Sequence, residues 1–308
     1  MGKDTFINST GNESFINNTG RESSLDSSPD PRKPNRLVRD VMQAMEAIAP
    51  ALLADTWDRV GLQLGDPASP VESVLIALDL TPDVLLEARN RRADLIICHH
   101  PVIFTPILTI RRDDPLQNLL IDAIQARISV FVAHTNLDAS SGGVADAWSA
   151  HLCQALGVAD AAAAGSNAKT DLPKITPYGR LIVLNQERPL HAVLSAVADS
   201  LPGSSLQLNI SPDRAVVKII RRIAAFPGSF PVEACTDLTQ ADVDLVICGE
   251  CKYHDGLSLA LAGITVTSVG HDRSELPALA GLAAILAEML PQIQFAVYPG
   301  MDYNKQAN

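Results

Sequence analysis

Basic charge, long apolar runs and cysteines are all in short supply in this 308-residue sequence. Lys and Arg number 24 against 35 Asp and Glu, a formal net charge of −11. With no basic patch to face phosphates, nucleic-acid binding is disfavoured, although a nucleotide substrate stays open. No stretch approaches the roughly 20 unbroken apolar residues that span a bilayer. The N-terminal segment also lacks the apolar core of a signal peptide. These absences predict a soluble protein with no membrane association. Five cysteines, an odd number in a chain this long, do not make a disulfide framework. A reducing, cytoplasmic setting is the simpler reading.

The sequence does have ample core-forming material: 47% of its residues are hydrophobic and 19% charged. That suffices for one large domain or two modest ones. Residues 1–34 are dominated by Asn, Ser, Thr, Gly and Asp, and so predict a disordered tail. The N-x-Ser/Thr triplets at Asn8, Asn12 and Asn17 are read as accidents of composition. A second short tail is expected over 303–308. Between the tails, Val38, Met42, Met45 and Ile48 fall at helical spacing before Pro50. The segment 56–66 reads as irregular and glycine-containing. The run "VLIALDL" (74–80) predicts a buried strand, and Thr81-Pro82 supplies a helix start. A strand at 94–98, a helix near 115–127, a strand from 129 ending in a polar loop by 138, and a helix from about Val144 complete a parallel α/β layer. Beyond a small polar loop (161–171) come a strand at 178–185, a helix at 189–201 and a strand at 206–210.

The last third repeats the first. "ADLIICHHPVIF" (93–104) is echoed by "VDLVICGECKYHD" (243–255), with Asp94 to Cys98 over Asp244 to Cys248. "IIRRIAAF" (219–226) corresponds to "VLIALDL" and is followed by a turn at "PGSF". Each copy continues through a helix to a strand ending in histidine, at His134 and at His271. The approximate repeats, 70–140 and 215–275, predict an α/β fold of two pseudo-repeated lobes. Ligands gather at the carboxyl ends of strands in such sheets, where these histidines fall.

His99 and His100 stand side by side at a strand end, in a chain with only seven histidines. Adjacent side chains on a strand point to opposite faces, but at its end they can diverge and each serve a different ion. The alternative is a pair of hydrogen-bonded structural imidazoles. Asp138 is either a metal ligand or the cap of the helix near Val144. His134, four residues earlier, is a ligand, a supporting partner or a substrate contact. His271 and Glu275, four apart, share one helical face, and a glutamate can bridge two ions. Three histidines and two carboxylates make a mixed N/O shell that suits Zn, Fe or Mn better than Ca. Cys248 and Cys251 form a CxxC, but no second cysteine pair completes a zinc site and the flanks are not thioredoxin-like. Glu250, Lys252, His254 and Asp255 occupy the strand end equivalent to the histidine pair and predict a cleft wall. His151 and His191 lie in helical stretches as ordinary residues. "FPGSF" is not read as a phosphate loop, and Leu276, Leu279, Leu282 and Leu286 form a helix core stripe.

The ordered set "WDRVGLQLGD", "ADLIICHHPVIF", "VAHTNLDASSGGV", "GECKYHD" and "VGHDRSE" resembles the Nif-three-like family. Members of that family are known as type 2 GTP cyclohydrolase I or as dinuclear metal-centre proteins. The resemblance spans about residues 37–302, within a domain expected over 35–302. It implies two α/β lobes with two divalent ions (Zn, Fe or Mn) in the cleft between them, and a toroidal homohexamer. Carried over residue by residue, it implies that His99 and His271 share one ion and that His100 and Asp138 share the other. Glu275 bridges the two. The stretch between Val144 and Ile219 is too short for the extra middle domain of longer members, and the "CGEC" cysteines depart from the usual pattern. Neither departure touches a ligand.

The activity this resemblance implies is that of a metal-dependent hydrolase. In the cyclohydrolase form, water attacks C8 of the guanine ring of GTP, the ring opens and formate is lost. His134 or His254 would move protons as the catalytic residues. Two other readings use the same ligands: a two-metal phosphoesterase, and a non-catalytic metal-binding hexamer acting as scaffold or regulator.

Overall fold

A computed structural model describes residues 36–158, 172–202, 206–209 and 217–300. The two expected tails and the polar loop at 161–171 lie outside the described residues. The chain is α/β, built on two sheets.

The first sheet has the order β1-β4-β3-β2-β11, from β1 (Gly61–Leu64), β2 (Ser73–Ala77), β3 (Leu95–Cys98), β4 (Ser129–Val132) and β11 (Gln294–Val297). Strands β2, β3, β4 and β11 run parallel, and β1 is antiparallel to β4. Strand β3 is buried at all four residues. An unbroken apolar run of that kind marks a strand covered by helices on both faces. Those helices are α1 (Val38–Ile48), α2 (Pro82–Asn90) and α3 (Pro115–Gln125). Thr81 caps α2, its Oγ accepting from Val84 N at 3.2 Å, and Asp114 caps α3 from Gln117 N at 2.9 Å. A proline follows each cap, fixing φ where the first N–H needs no partner.

The second sheet has the order β5-β6-β8-β9-β10-β7, from β5 (Lys174–Thr176), β6 (Gly179–Pro189), β7 (Gln207–Leu208), β8 (Ile219–Ser229), β9 (Leu245–Glu250) and β10 (Thr265–Ser268). Strands β8, β9 and β10 are parallel, matching β2, β3 and β4. The repeat extends to single hydrogen bonds. Asp94 Oδ2 accepts from the amides of Glu72 and Ser73, and Asp244 Oδ2 accepts from those of Arg221 and Arg222. Arg92 and Asp242, two residues before each aspartate, both take positive φ, at 55° and 51°. Arg127 and Gly263 do the same before β4 and β10.

Three local expectations are corrected. The polar loop expected after β4 is a short helix, α4 (Thr135–Ala139). Asn136 pins it, accepting from His134 N and donating to Ala49 O at 2.7 Å. The irregular segment 56–66 contains β1, which Gly61 enters at φ +103°. The turn expected at "PGSF" is a bulge: β8 runs on to Ser229, which pairs with Glu250, and Gly228 absorbs the extra residue at φ +58°.

Two helices join the lobes. Helix α5 (Val144–Leu156) begins in the core of the first sheet at Val144 and ends in that of the second at Trp148, Leu152 and Leu156. A later helix, His271–Met289, packs its Leu279, Leu282 and Leu286 into the first core while contacting β8 and β9 of the second sheet. It is α9 here, after α6 (Leu190–Ser200), α7 (Cys235–Gln240) and α8 (Tyr253–Leu261). A buried ion pair ties α5 to β6: Arg180 Nε donates to Asp146 Oδ1 at 2.6 Å, and Asp146 Oδ2 accepts from Gly142 N. Arg180 is wholly buried, so removing either partner strands a charge in the interior. R180M is expected to lower stability by roughly 3–5 kcal/mol in urea unfolding, with R180M/D146L recovering much of the loss. An R180M loss below about 1 kcal/mol would mean the pair is not buried in solution.

Candidate metal centre

The carboxyl ends of β2, β3 and β4 and the start of α9 bring four histidines together. Backbone pairing continues past β3, with His99 N bonded to Ala77 O at 3.0 Å and His100 N to Leu78 O at 2.8 Å. The two rings diverge from this shared edge, their centroids 5.0 Å apart. Each imidazole is then held through Nδ1. His99 Nδ1 donates to Ala133 O at 2.8 Å, His100 Nδ1 to Asp79 Oδ1 at 2.8 Å, and His134 Nδ1 to Asp58 Oδ2 at 3.0 Å. An oxygen acceptor at Nδ1 places a proton there and turns Nε2 outward, the atom that meets a cation once its own proton has left. Metal-ligating imidazoles are fixed in this way.

The outward atoms converge. His99 Nε2 lies 3.3 Å from Asp138 Oδ1 and 3.7 Å from Glu275 Oε1. His100 Nε2 is 3.1 Å from Glu275 Oε2, and His271 Nε2 is 3.1 Å from Glu275 Oε1. Glu275, only 4% exposed, thus sits among three imidazoles. Yet His99 Nε2, His100 Nε2, Asp138 Oδ1 and Glu275 Oε2 have no aligned hydrogen-bond partner among the described residues. Buried polar atoms are almost always satisfied. Four orphans facing one another are a set of donors that could hold a cation.

The electrostatics agree. Burial favours the neutral ring of His100, but Asp79 and Glu275 outweigh it and push its pKa up to about 10. His99 is also raised: burial opposes the shift, and Asp138 and Glu275 drive it. For His271 the bond to Glu275 raises it. Burial opposes ionisation of Glu275, but the charge of His99 and the nearness of His100 and His271 hold it well below the usual range. Burial lifts Asp138 to about 7. The buried carboxylates therefore favour positive charge beside them.

Two groupings could hold a metal ion among the described residues: His99, His100 and His134, and His100, His271 and Glu275. The family resemblance implied the pairs His99 with His271 and His100 with Asp138. In the structure Asp138 stands beside His99, and His271 groups with His100. All five sequence-derived ligands meet, with His134 in the same cluster, its ring 5.2 Å from His99 and 5.7 Å from His100. His254 is elsewhere in its contacts. It lies exposed on α8 against Tyr253 and has no bond to the cluster among the described residues. Glu250, expected on the cleft wall, reaches His271 Nδ1 at 3.4 Å and accepts from Ser229.

Sequence reasoning missed four contributors. Asp58 and Asp79 orient His134 and His100. Asp79 carried the same signal as His99, a polar residue ending an apolar strand. Gly228 and Gly249 carried a fainter one. A Cβ at Gly249 would fall 2.6 Å from Ser274 Oγ and 2.9 Å from His271 Cα, and one at Gly228 2.5 Å from Glu275 Oε1. Only glycine lets α9 approach the strand ends this closely. Ser274 Oγ completes the seam by accepting from Gly228 N at 2.9 Å.

A metal entering this site must displace the proton of His100. Affinity for Zn or Mn is therefore expected to rise with pH between 6 and 9, about tenfold per unit per proton released. Calorimetry in buffers of different ionisation enthalpy checks this. A pH-independent affinity with no proton release would contradict the protonated resting state.

Known proteins resemble this chain in sequence and in fold. A "GTP cyclohydrolase 1 type 2 homolog" of Clostridium perfringens is 29% identical over 261 residues, 84% of this chain and 95% of that protein. One from Clostridium acetobutylicum is 31% identical over 242 residues, 79% and 86% respectively. Among solved structures, a Bacillus cereus protein related to NIF3 superposes with a TM-score of 0.73 at 20% identity, over 86% of this chain and 97% of that one. At that identity the likeness concerns the fold. The profile of one family matches residues 36–301, which take in every residue the structure describes. The chain belongs to that family, Duf34/NIF3 (NGG1p interacting factor 3).

Proposed function

We propose that the protein is a metal-dependent hydrolase with two divalent ions, Zn, Fe or Mn, acting on the guanine imidazole ring of GTP. The observation that carries this reading is the oriented, uncommitted imidazole of His134 beside the four orphaned donor atoms. A scaffold needs the donors; it has no use for a fourth imidazole, His134, braced by its own buried carboxylate. The names of the relatives support GTP as substrate.

His99, His100, Asp138, His271 and Glu275 would hold the cations. When bound, they would supply Lewis acidity that lowers the pKa of water and offsets developing negative charge. The chain's own part is proton transfer. Asp58 Oδ2 accepts from His134 Nδ1 and from the amide and hydroxyl of Thr135. Burial, and the charges of His99 and His100, hold His134 below its ordinary pKa. It is therefore neutral near pH 7, with Nε2 free to take the proton of a water that attacks C8 of guanine. Breaking a ring C–N bond leaves a formamide, and a second water releases formate. The same Nε2 returns its proton to the departing nitrogen.

We further propose assembly as a homohexamer in the cytoplasm. Support for assembly comes from exposed apolar side chains, Leu108 (93% exposed), Leu52 and Ile110, which are costly to leave in water. No helix of the described residues is long and apolar enough to cross a membrane.

Formate release from GTP by protein loaded with Mn, Fe or Zn tests the function. D58N is expected to lower kcat about 10²-fold or more with metal content unchanged, and H100A to lose metal and activity together. Fully metal-loaded protein that turns over neither GTP nor a nucleotide panel would overturn the enzyme reading in favour of a non-catalytic metal-binding hexamer.

A further inference from the structure

Two large aromatic side chains stand half open to solvent on braced backbone at the edge of the metal centre. Trp57 is 51% exposed and Phe104 is 55% exposed, their ring centroids 5.9 Å apart and tilted by 52°. Trp57 meets His134 edge-on at 6.0 Å, so the pair adjoins the imidazole that faces the orphaned donors.

Neither ring hangs on a loose loop. Gln63 stitches the two segments together: its Oε1 accepts from Ile103 N at 2.7 Å, and its Nε2 donates to Arg59 O at 2.7 Å and Ile103 O at 3.3 Å. On the other side Asp58, next to Trp57, is buried against Thr135 and His134. Leaving this much aromatic surface in water on a rigid frame is unfavourable unless something covers it. The tilt leaves no parallel slot between the rings. The arrangement is a floor and a side wall.

We propose that Trp57, walled by Phe104, is the stacking platform for the planar heteroaromatic base of the substrate. This rests on the nucleotide-hydrolase reading and assigns the part of the chain that recognises the base. A purine lying on Trp57 has its edge toward His134, the group that handles protons there. Recognition by a π-face tolerates any base, so the platform sets the class of ligand, a nucleobase, and not its identity.

The second tryptophan, Trp148, is fully buried, so ligand-induced quenching of the intact protein's fluorescence reports on Trp57. Guanosine and GTP are expected to quench, and inorganic tripolyphosphate is not. W57A should abolish quenching and raise KM for GTP roughly 5- to 100-fold, with kcat within a fewfold of wild type and metal content unchanged. W57F should keep most of the affinity. Equal quenching by tripolyphosphate, or an unchanged KM in W57A, would overturn the platform. So would a W57A-induced drop in sedimentation mass with guanosine binding intact, which would make this face a contact with a second copy of the chain. Guanosine quenching without formate release would instead sink the hydrolase reading and leave the platform standing.

Discussion

A buried carboxylate among three imidazoles governs this molecule. Glu275 is packed under Gly228, reached by Nε2 of His99, His100 and His271, and lifted out of water by its burial. A charge of that sort is tolerated only when positive charge compensates it. This mutual attraction pushes His99 and His100 up and holds Glu275 down. A divalent ion would meet the same demand with fewer protons. The arrangement of backbone around the site follows from this need. The ends of β3 and β4 supply three of the rings, the start of α9 supplies His271 and the carboxylate, and two glycines allow the helix to come close enough.

That closeness is also what joins the lobes. Helix α9 begins in the site, runs through the first core and rests on β8 and β9 of the second sheet. Helix α5 crosses in the same layer, and Arg180 of the second sheet clasps Asp146 of α5. Site and inter-lobe packing are therefore one structure. The duplication explains how such a joint arises. Each half carries the same strand–helix unit, down to the aspartate that binds two amides beneath its central strand. The two halves then diverged at the strand end, which carries His99 and His100 in one and Gly249 and Glu250 in the other.

Much of this was readable in the residues. The apolar strands, the Thr81 helix start and the repeat follow from pattern and spacing, because each is a local consequence of burial or backbone chemistry, and the resemblance to the family singled out the five candidate donor residues. The resemblance to the family grouped the donors in pairs, and the structure sets Asp138 Oδ1 3.3 Å from His99 Nε2. What the sequence hid is what depends on distant neighbours. Asp58 looked like any loop carboxylate until α4 folded against it. His254 looked equivalent to a site histidine because its strand end is equivalent, yet it faces solvent on α8. Gly228 and Gly249 have meaning only once α9 is seen lying against them. The short helix α4 replaced an expected loop because Asn136 reaches Ala49, a contact 87 residues apart.

The orphaned nitrogen and oxygen atoms act, on this reading, as cation ligands. Anomalous diffraction from crystals of metal-loaded protein, collected on both sides of the Mn, Fe and Zn edges, addresses it directly. The account predicts peaks lying between His99 Nε2, His100 Nε2, Asp138 and the Glu275 carboxylate, with Glu275 touching both if there are two. A fully metal-loaded crystal whose anomalous density lies away from Glu275, with these imidazoles hydrogen-bonded to protein groups instead, would contradict it.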